Sequence, residues 1–167
     1  MITKVRTKKK VVCFLGLGSN LGERHENIQQ AVKSLEAEEG IQVTKVSGHY
    51  ETMPVGMTSQ PKFINACCEV QVTLSPEELL DRINRIEARL GRRREVEMGP
   101  RTIDIDILMF GGLIMSEDGL QIPHPMMHER LFVLEPLKEI APELVHPCIG
   151  ITVSELYDTL ALEMDLE

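Results

Sequence analysis

The stretch 63-FINACCEVQVTL-74 sorts its side chains into two files. Ile64, Ala66, Cys68, Val70, Val72 and Leu74 fall in one, and Phe63, Asn65, Cys67, Glu69, Gln71 and Thr73 in the other. Successive side chains of an extended backbone point to opposite faces, so this alternation predicts a half-buried strand. Directly after it, Ser75, Pro76 and Glu78 spell a helix start, with Ser as cap, Pro at the first helical position and Glu reaching back. Leu79, Leu80, Ile83 and Ile86 supply the apolar stripe of that helix, and Gly91 ends it.

On the N-terminal side, 11-VVCFLGL-17 is a short apolar run that reads as a buried first strand. In the segment that follows, Ile28, Ala31, Val32 and Leu35 recur at helical spacing, with Asn20 and Glu23 placed for a capping box and Gly40 for a stop. The β-branched stretch 41-IQVTKVSGHY-50 predicts another strand, and 51-ETMPVGMTSQP-61 a loop. On the C-terminal side, the loop 91-GRRREVEMGP-100 leads into a strand, 102-TIDIDILMF-110, and then GG and DG mark the turns of a small hairpin-like excursion. The segments 135-EPLKEIAP-142 and 153-VSELYDTL-160 predict short helices. The order strand, helix, strand, strand, helix, strand is the βαββαβ pattern of a ferredoxin-like sandwich. This is an α+β fold with a mostly antiparallel sheet, two helices on one face and extra C-terminal helices.

A chain of 167 residues that is 43% hydrophobic suffices for one domain with its own core. Residues 1–10 read as a basic, disordered arm, 11–160 as the domain and 161–167 as an acidic tail. The net charge is −8, but Lys4, Arg6, Lys8, Lys9 and Lys10 sit on the arm, which leaves a body with 13 basic and 26 acidic residues. Such a body is a poor general binder of nucleic acid, although the arm itself has the charge to touch RNA or lipid. No apolar run is long enough to span a membrane and no apolar region follows the charged N-terminus, so a cytoplasmic protein is expected. Cys13, Cys67, Cys68 and Cys148 lack CxxC spacing and read as reduced, packed thiols.

Asp104 and Asp106 alternate with Ile103, Ile105 and Ile107, so both acids point away from the apolar face. Their α-carbons are about 6.5–7 Å apart from the strand rise, which suits a shared hard cation. Magnesium fits better than zinc, because no His or Cys set lies nearby and Mg²⁺ uses few protein ligands. Taken alone, the pattern also fits the solvated face of an edge strand. Arg92, Arg94 and Arg101 weigh against that, since guanidinium groups bind phosphate bidentately. Acids, a cation and arginines together describe a nucleoside triphosphate site.

No Walker A loop or protein-kinase catalytic loop occurs, and 16-GLGSNLG-22 has the wrong glycine spacing for a dinucleotide fingerprint; its glycines read as turn residues. Phe63 and Asn65 share a face and would suit a flat heterocycle, or else be a core ring and a turn-capping amide. His124 and Arg130 are placed to meet phosphate oxygens. His124 and His128 have helical metal spacing, but Pro123 and Pro125 argue against a helix there.

Taken together, GLGSNLG, FINA, GPRTIDIDIL and PHPMMHER followed by FVLEPLKEIAP resemble, in order and spacing, the 6-hydroxymethyl-7,8-dihydropterin pyrophosphokinase family of folate biosynthesis, from about Val11 to Leu160. The resemblance implies transfer of diphosphate from ATP to a pterin alcohol with release of AMP. It makes Asp104 and Asp106 ligands of two Mg²⁺ ions and Arg92 and Arg101 phosphate clamps, with Arg94 on a closing loop. It places Asn84, Glu87, Ile107, His124 and Arg130 on the ATP side, and Thr52, Val55, Phe63, Asn65 and Phe132 around the pterin. Met98 stands where many members carry Trp, Glu97 where some carry a basic residue, Met126 where a basic residue is frequent, and Phe63 where Tyr occurs. A thioether still covers an aromatic ligand, with less stacking area. ATP and the pterin are the expected partners, with no nucleic acid or membrane, in a monomer or weak homodimer. The rival functions are a Mg-dependent phosphohydrolase using the same acids and an RNA-binding ferredoxin-like module; 4% aromatics and an acidic body speak against the latter.

Overall fold

The computed structural model describes residues 8–52, 61–91, 102–117 and 119–165. Strand β1 (Val11–Ser19) leads to helix α1 (Arg24–Glu36), followed by β2 (Ile41–Val46), β3 (Tyr50–Thr52), β4 (Phe63–Val72), α2 (Pro76–Arg89) and β5 (Asp104–Phe110). A two-stranded ribbon, β6 (Met115–Glu117) and β7 (Leu120–Ile122), precedes a 3₁₀ turn at Met127–Glu129 and helices α3 (Leu131–Ile140) and α4 (Val153–Asp165). The main sheet runs β2-β4-β1-β5, with β3 also on β4, and its pairs are antiparallel. This is the strand order expected of the ferredoxin-like α+β sandwich. The helix α4 runs through to Asp165, into the segment expected as a tail.

The expected half-buried β4 is buried on both faces over Ile64–Cys68. Its apolar file packs with α1 and α2 in one core, around Ile28, Leu35, Leu79, Ile83 and Ile86. Its other file meets a second core, where Cys67, Phe14, Leu108 and Met109 pack with Met127, Leu134, Leu137, Val153 and Leu156. Helices therefore cover both sheet faces rather than one. Thiols suit this burial: Cys67 is 1% exposed, and desolvation pushes its pKa well above the ordinary value.

Several local expectations change. Ile41–Tyr50 is not one strand; it breaks after Val46, where the buried Ser47 both donates its N–H to the Cys67 carbonyl and accepts the Cys67 N–H on its hydroxyl, 2.9 Å each. The chain resumes pairing at Tyr50, so Glu51 and Thr52 belong to a strand rather than a loop. At α1, Glu23 is the N-cap without a side-chain bond, and Asn20 is buried with its Nδ2 donating to the Pro61 carbonyl at 3.2 Å. The capping box expected there is absent because Asn20 serves a tertiary contact. Gly40 follows the Ala37 C-cap at φ +88°, where a Cβ would stand 2.8 Å from Leu74 Cδ2. The α2 capping box forms as expected, between the Ser75 and Glu78 side chains and each other's backbone N–H. Helix α3 begins at Leu131, four residues before the expected start, and carries Pro136 inside it.

A β-bulge shapes β5. Phe14 pairs with Met109 but Leu15 with Ile107, so Leu108 is the extra residue. The insertion flips the parity, so Met109 joins Leu108 in the second core while Ile105 and Ile107 lie in the first.

Candidate active site

Upstream of the bulge, the alternation of β5 holds. Ile103, Ile105 and Ile107 are buried, while Asp104 is half-buried and Asp106 exposed. Both carboxylates line a cleft of about 200 Å³. Gly16 and Gly18 lie on its β1 floor, Thr52, Phe63 and Asn65 come from β3 and β4, and Arg130 and Phe132 from the start of α3. The expectation that Gly16 and Gly18 are turn glycines is therefore corrected, because both belong to β1 and only Gly22 has positive φ in the turn. A Cβ on Gly18 would sit 3.2 Å from Asn65 Oδ1 and 3.7 Å from Phe63 Cδ1, so its absence keeps the floor open.

Asn65 is 6% exposed, and its Nδ2 donates to Thr52 Oγ1 at 2.6 Å, an orientation that presents its oxygen toward Gly18. The Arg130 guanidinium lies 5.5 Å from the Phe132 ring centroid. Two aromatic rings, an oriented amide, a hydroxyl and a pair of carboxylates thus share one concave site, which suits a flat polar heterocycle next to a charged group.

A second, larger cleft of about 540 Å³ opens on the far side of β5, lined by Leu80, Ile107, Ser116, Gln121 and His124 among others. Asp106 lines both clefts. The His124 N–H donates to the Leu108 carbonyl at 2.9 Å, while its Nδ1 accepts from the Met126 N–H at 3.1 Å. With Nδ1 used as an acceptor, Nε2 carries the proton of the neutral ring. Burial lowers the His124 pKa, opposed by Asp106 and reinforced by Arg130, so the ring is a neutral donor near pH 7.

Of the expected site residues, Thr52, Phe63, Asn65, Asp104, Asp106, Arg130 and Phe132 meet in the first cleft, and Ile107 and His124 in the second. Asn84 is exposed on α2, one helical turn beyond Leu80 of the second cleft. Glu87 lines neither of these clefts: it is 7% exposed, and its Oε2 accepts the Ile105 N–H at 3.0 Å, bonding α2 to the backbone between the two aspartates. Val55, Arg92, Arg94 and Arg101 lie outside the described residues, as do Glu97 and Met98. The glycine floor, Cys67 and the ribbon residues Ser116 and Gln121 were not anticipated; the three-residue ribbon strands are too short for alternation to reveal.

Among the described residues no group of three or more His, Cys, Asp or Glu converges. A pair of carboxylates with no third such ligand converging on them among the described residues fits a hard, oxygen-seeking cation that completes its shell with waters and phosphate oxygens, and does not fit structural zinc.

Residues 14–142 match the family described as 7,8-dihydro-6-hydroxymethylpterin-pyrophosphokinase (HPPK). The chain belongs to this family. It is 47% identical over 133 residues to the 2-amino-4-hydroxy-6-hydroxymethyldihydropteridine pyrophosphokinase of Bacillus subtilis, covering 80% of each protein. It is 42% identical over 147 residues to the folic acid synthesis protein fol1 of Pneumocystis carinii, covering 88% of this chain but spanning only 20% of that protein. Among solved structures, the Plasmodium falciparum HPPK-DHPS with pteroate superposes with a TM-score of 0.78 at 16% identity, over 98% of this chain and 44% of that one, a likeness of fold. No helix among the described residues is long and apolar enough to cross a membrane.

Proposed function

We propose that this chain transfers the terminal diphosphate of ATP to the hydroxymethyl group of 6-hydroxymethyl-7,8-dihydropterin, releasing AMP. The observation that carries this reading is that Asp106 borders both clefts, with Asp104 two residues before it on the ring-lined side. A carboxylate pair at that boundary lies where an acceptor alcohol from one cleft meets a polyphosphate from the other.

Phe63 and Phe132 sandwich the heterocycle, and Asn65, oriented by Thr52, reads its polar edge. Leu80, Ile107 and the ribbon hold the nucleotide, with Asn84 at the edge of that surface. His124 donates through Nε2 to a phosphate oxygen, and Arg130, Arg92, Arg94 and Arg101 add positive charge around the transferring group. Val55, outside the described residues, is assigned to the pterin side by the family resemblance alone. Asp104 and Asp106 would hold two Mg²⁺ ions, which when bound supply positive charge against the triphosphate. The contribution of the chain is to place the alcohol in line with the β-phosphorus, exclude water between the rings and keep donors aimed at the oxygens as charge shifts toward AMP. No side chain of either cleft is assigned as general base.

The test is incubation with ATP, Mg²⁺ and the hydroxymethyl dihydropterin, reading AMP. Asp104→Asn and Asp106→Asn should each reduce turnover by more than about a hundredfold, the scale of losing a charge-positioning group, without unfolding. Full turnover by either variant at saturating Mg²⁺ would refute the assignment. Phosphate release from ATP without pterin would instead indicate a hydrolase.

A further inference from the structure

Glu139 lines neither of these clefts, and the reaction as proposed gives it no part. Its carboxylate nevertheless ties α3 to the start of β3. Both oxygens accept the Gly48 N–H at 3.1 Å, and Oε1 also accepts the Tyr50 hydroxyl in a short bond. A Cβ at Gly48 would stand 3.4 Å from Oε1, an ordinary contact, so the bond uses the Gly48 N–H and does not depend on the missing side chain. Nearby, Lys45 Nζ donates to the Ile140 carbonyl at 3.5 Å, a second tie between the same edge of the sheet and the same helix end.

The spacing of these residues relates the bond to the cleft. Tyr50 and Thr52 are two apart on one strand and so share a face. Glu139 and Phe132 are seven apart on one helix, two turns along the same side. The bond between Tyr50 and Glu139 therefore runs beside the ring-lined cleft, joining the strand that carries Thr52 to the helix that carries Phe132. Pro136 sharpens the need for it. Having no N–H, Pro136 leaves the Phe132 carbonyl without its i+4 helical partner, so the turn bearing Phe132 depends on contacts made elsewhere.

We infer that Tyr50, Gly48 and Glu139 form a clamp that sets the width of the ring-lined cleft, making Tyr50 and Glu139 positioning residues for the flat heterocycle. The inference rests on the proposed function for the identity of that heterocycle. Because Glu139 and Gly48 are exposed, water replaces their bonds when the clamp is cut, and the fold loses little. The geometry of the cleft is what changes.

The experiment compares wild type, Tyr50→Phe, Glu139→Ala and Glu139→Gln. Pterin fluorescence gives the affinity for the hydroxymethyl dihydropterin, calorimetry that for a non-hydrolysable ATP analogue, and thermal melting the stability. Tyr50→Phe and Glu139→Ala should weaken pterin binding by about three- to tenfold, the scale of one hydrogen bond. ATP-analogue binding should stay within about twofold, melting should not change measurably, and Glu139→Gln, which keeps an acceptor, should recover part of the loss. Equal losses for both ligands, or lowered melting with unchanged pterin binding, would overturn the clamp. Crystal structures of wild type and Tyr50→Phe read the Thr52 to Phe132 separation without ligand, and an unchanged separation would overturn it as well. Wild-type protein that binds no pterin overturns the functional reading instead, and the separation then decides the clamp alone.

Discussion

Replacing Glu87 tests whether the carboxylate pair is held from the core side. Glu87 is 7% exposed and accepts the Ile105 N–H at 3.0 Å, on the peptide between Asp104 and Asp106. Among the described residues β5 pairs only with β1 in the main sheet, so this bond satisfies a backbone donor on its other edge. Glu87→Ala strands that N–H in a buried setting, at a cost of about 1–3 kcal/mol. Loss of the packed Cγ methylene adds about 0.8 kcal/mol. The expected destabilisation is about 3 kcal/mol, and with a urea slope of about 2 kcal/mol per molar the unfolding midpoint should fall by about 1.5 M. Glu87→Gln keeps an acceptor oxygen and should lose less than half as much. Urea unfolding followed by circular dichroism measures both. If Glu87→Ala unfolds at the wild-type midpoint and only the KM for ATP rises, Glu87 is a nucleotide contact and the structural account fails.

Ser75→Ala removes one half of the α2 capping box and should destabilise the protein by about 1 kcal/mol in chemical denaturation, with unchanged KM for either substrate. Gly18→Ala brings a methyl to 3.2 Å from Asn65 Oδ1, so the KM for pterin should rise several-fold while that for ATP stays level; equal effects on both would contradict the floor assignment. Burial lowers the pKa of His49, His124 and His146, so the folded state binds fewer protons than the unfolded state. Their contribution to stability is complete above the ordinary value of 6.5 and is lost as pH falls below it, so the denaturation midpoint should drop between pH 7.5 and 5. His25 and His49 have their Nδ1 atoms 2.7 Å apart, a contact that requires an unprotonated ring on one side, and His49→Gln should flatten part of that slope.

The order of elements could be read from periodicity, because strand alternation and helical stripes are local properties of the chain. The Ser75, Pro76 and Glu78 signal worked for the same reason: cap, first-turn proline and reaching carboxylate lie within four residues of one another. The false capping box at Asn20 shows the limit, since the same residue type found a better partner in the Pro61 carbonyl, 41 positions away. Asp104 and Asp106 were legible because two charges in an apolar strand demand a reason. Their surroundings were legible mainly through the resemblance of GPRTIDIDIL and PHPMMHER to a family.

By itself, then, the sequence determined the α+β order of elements, the apolar face of β4 and the shared direction of the two aspartates, all consequences of backbone periodicity. Only the tertiary structure decided that β4 is buried on its second face, because a Cys67 or Asn65 is inside or outside according to what packs on it. It also decided the bulge at Leu108 and the bond that holds Glu87 to Ile105. Each depends on a partner distant in sequence, and no local pattern encodes where such a partner will stand.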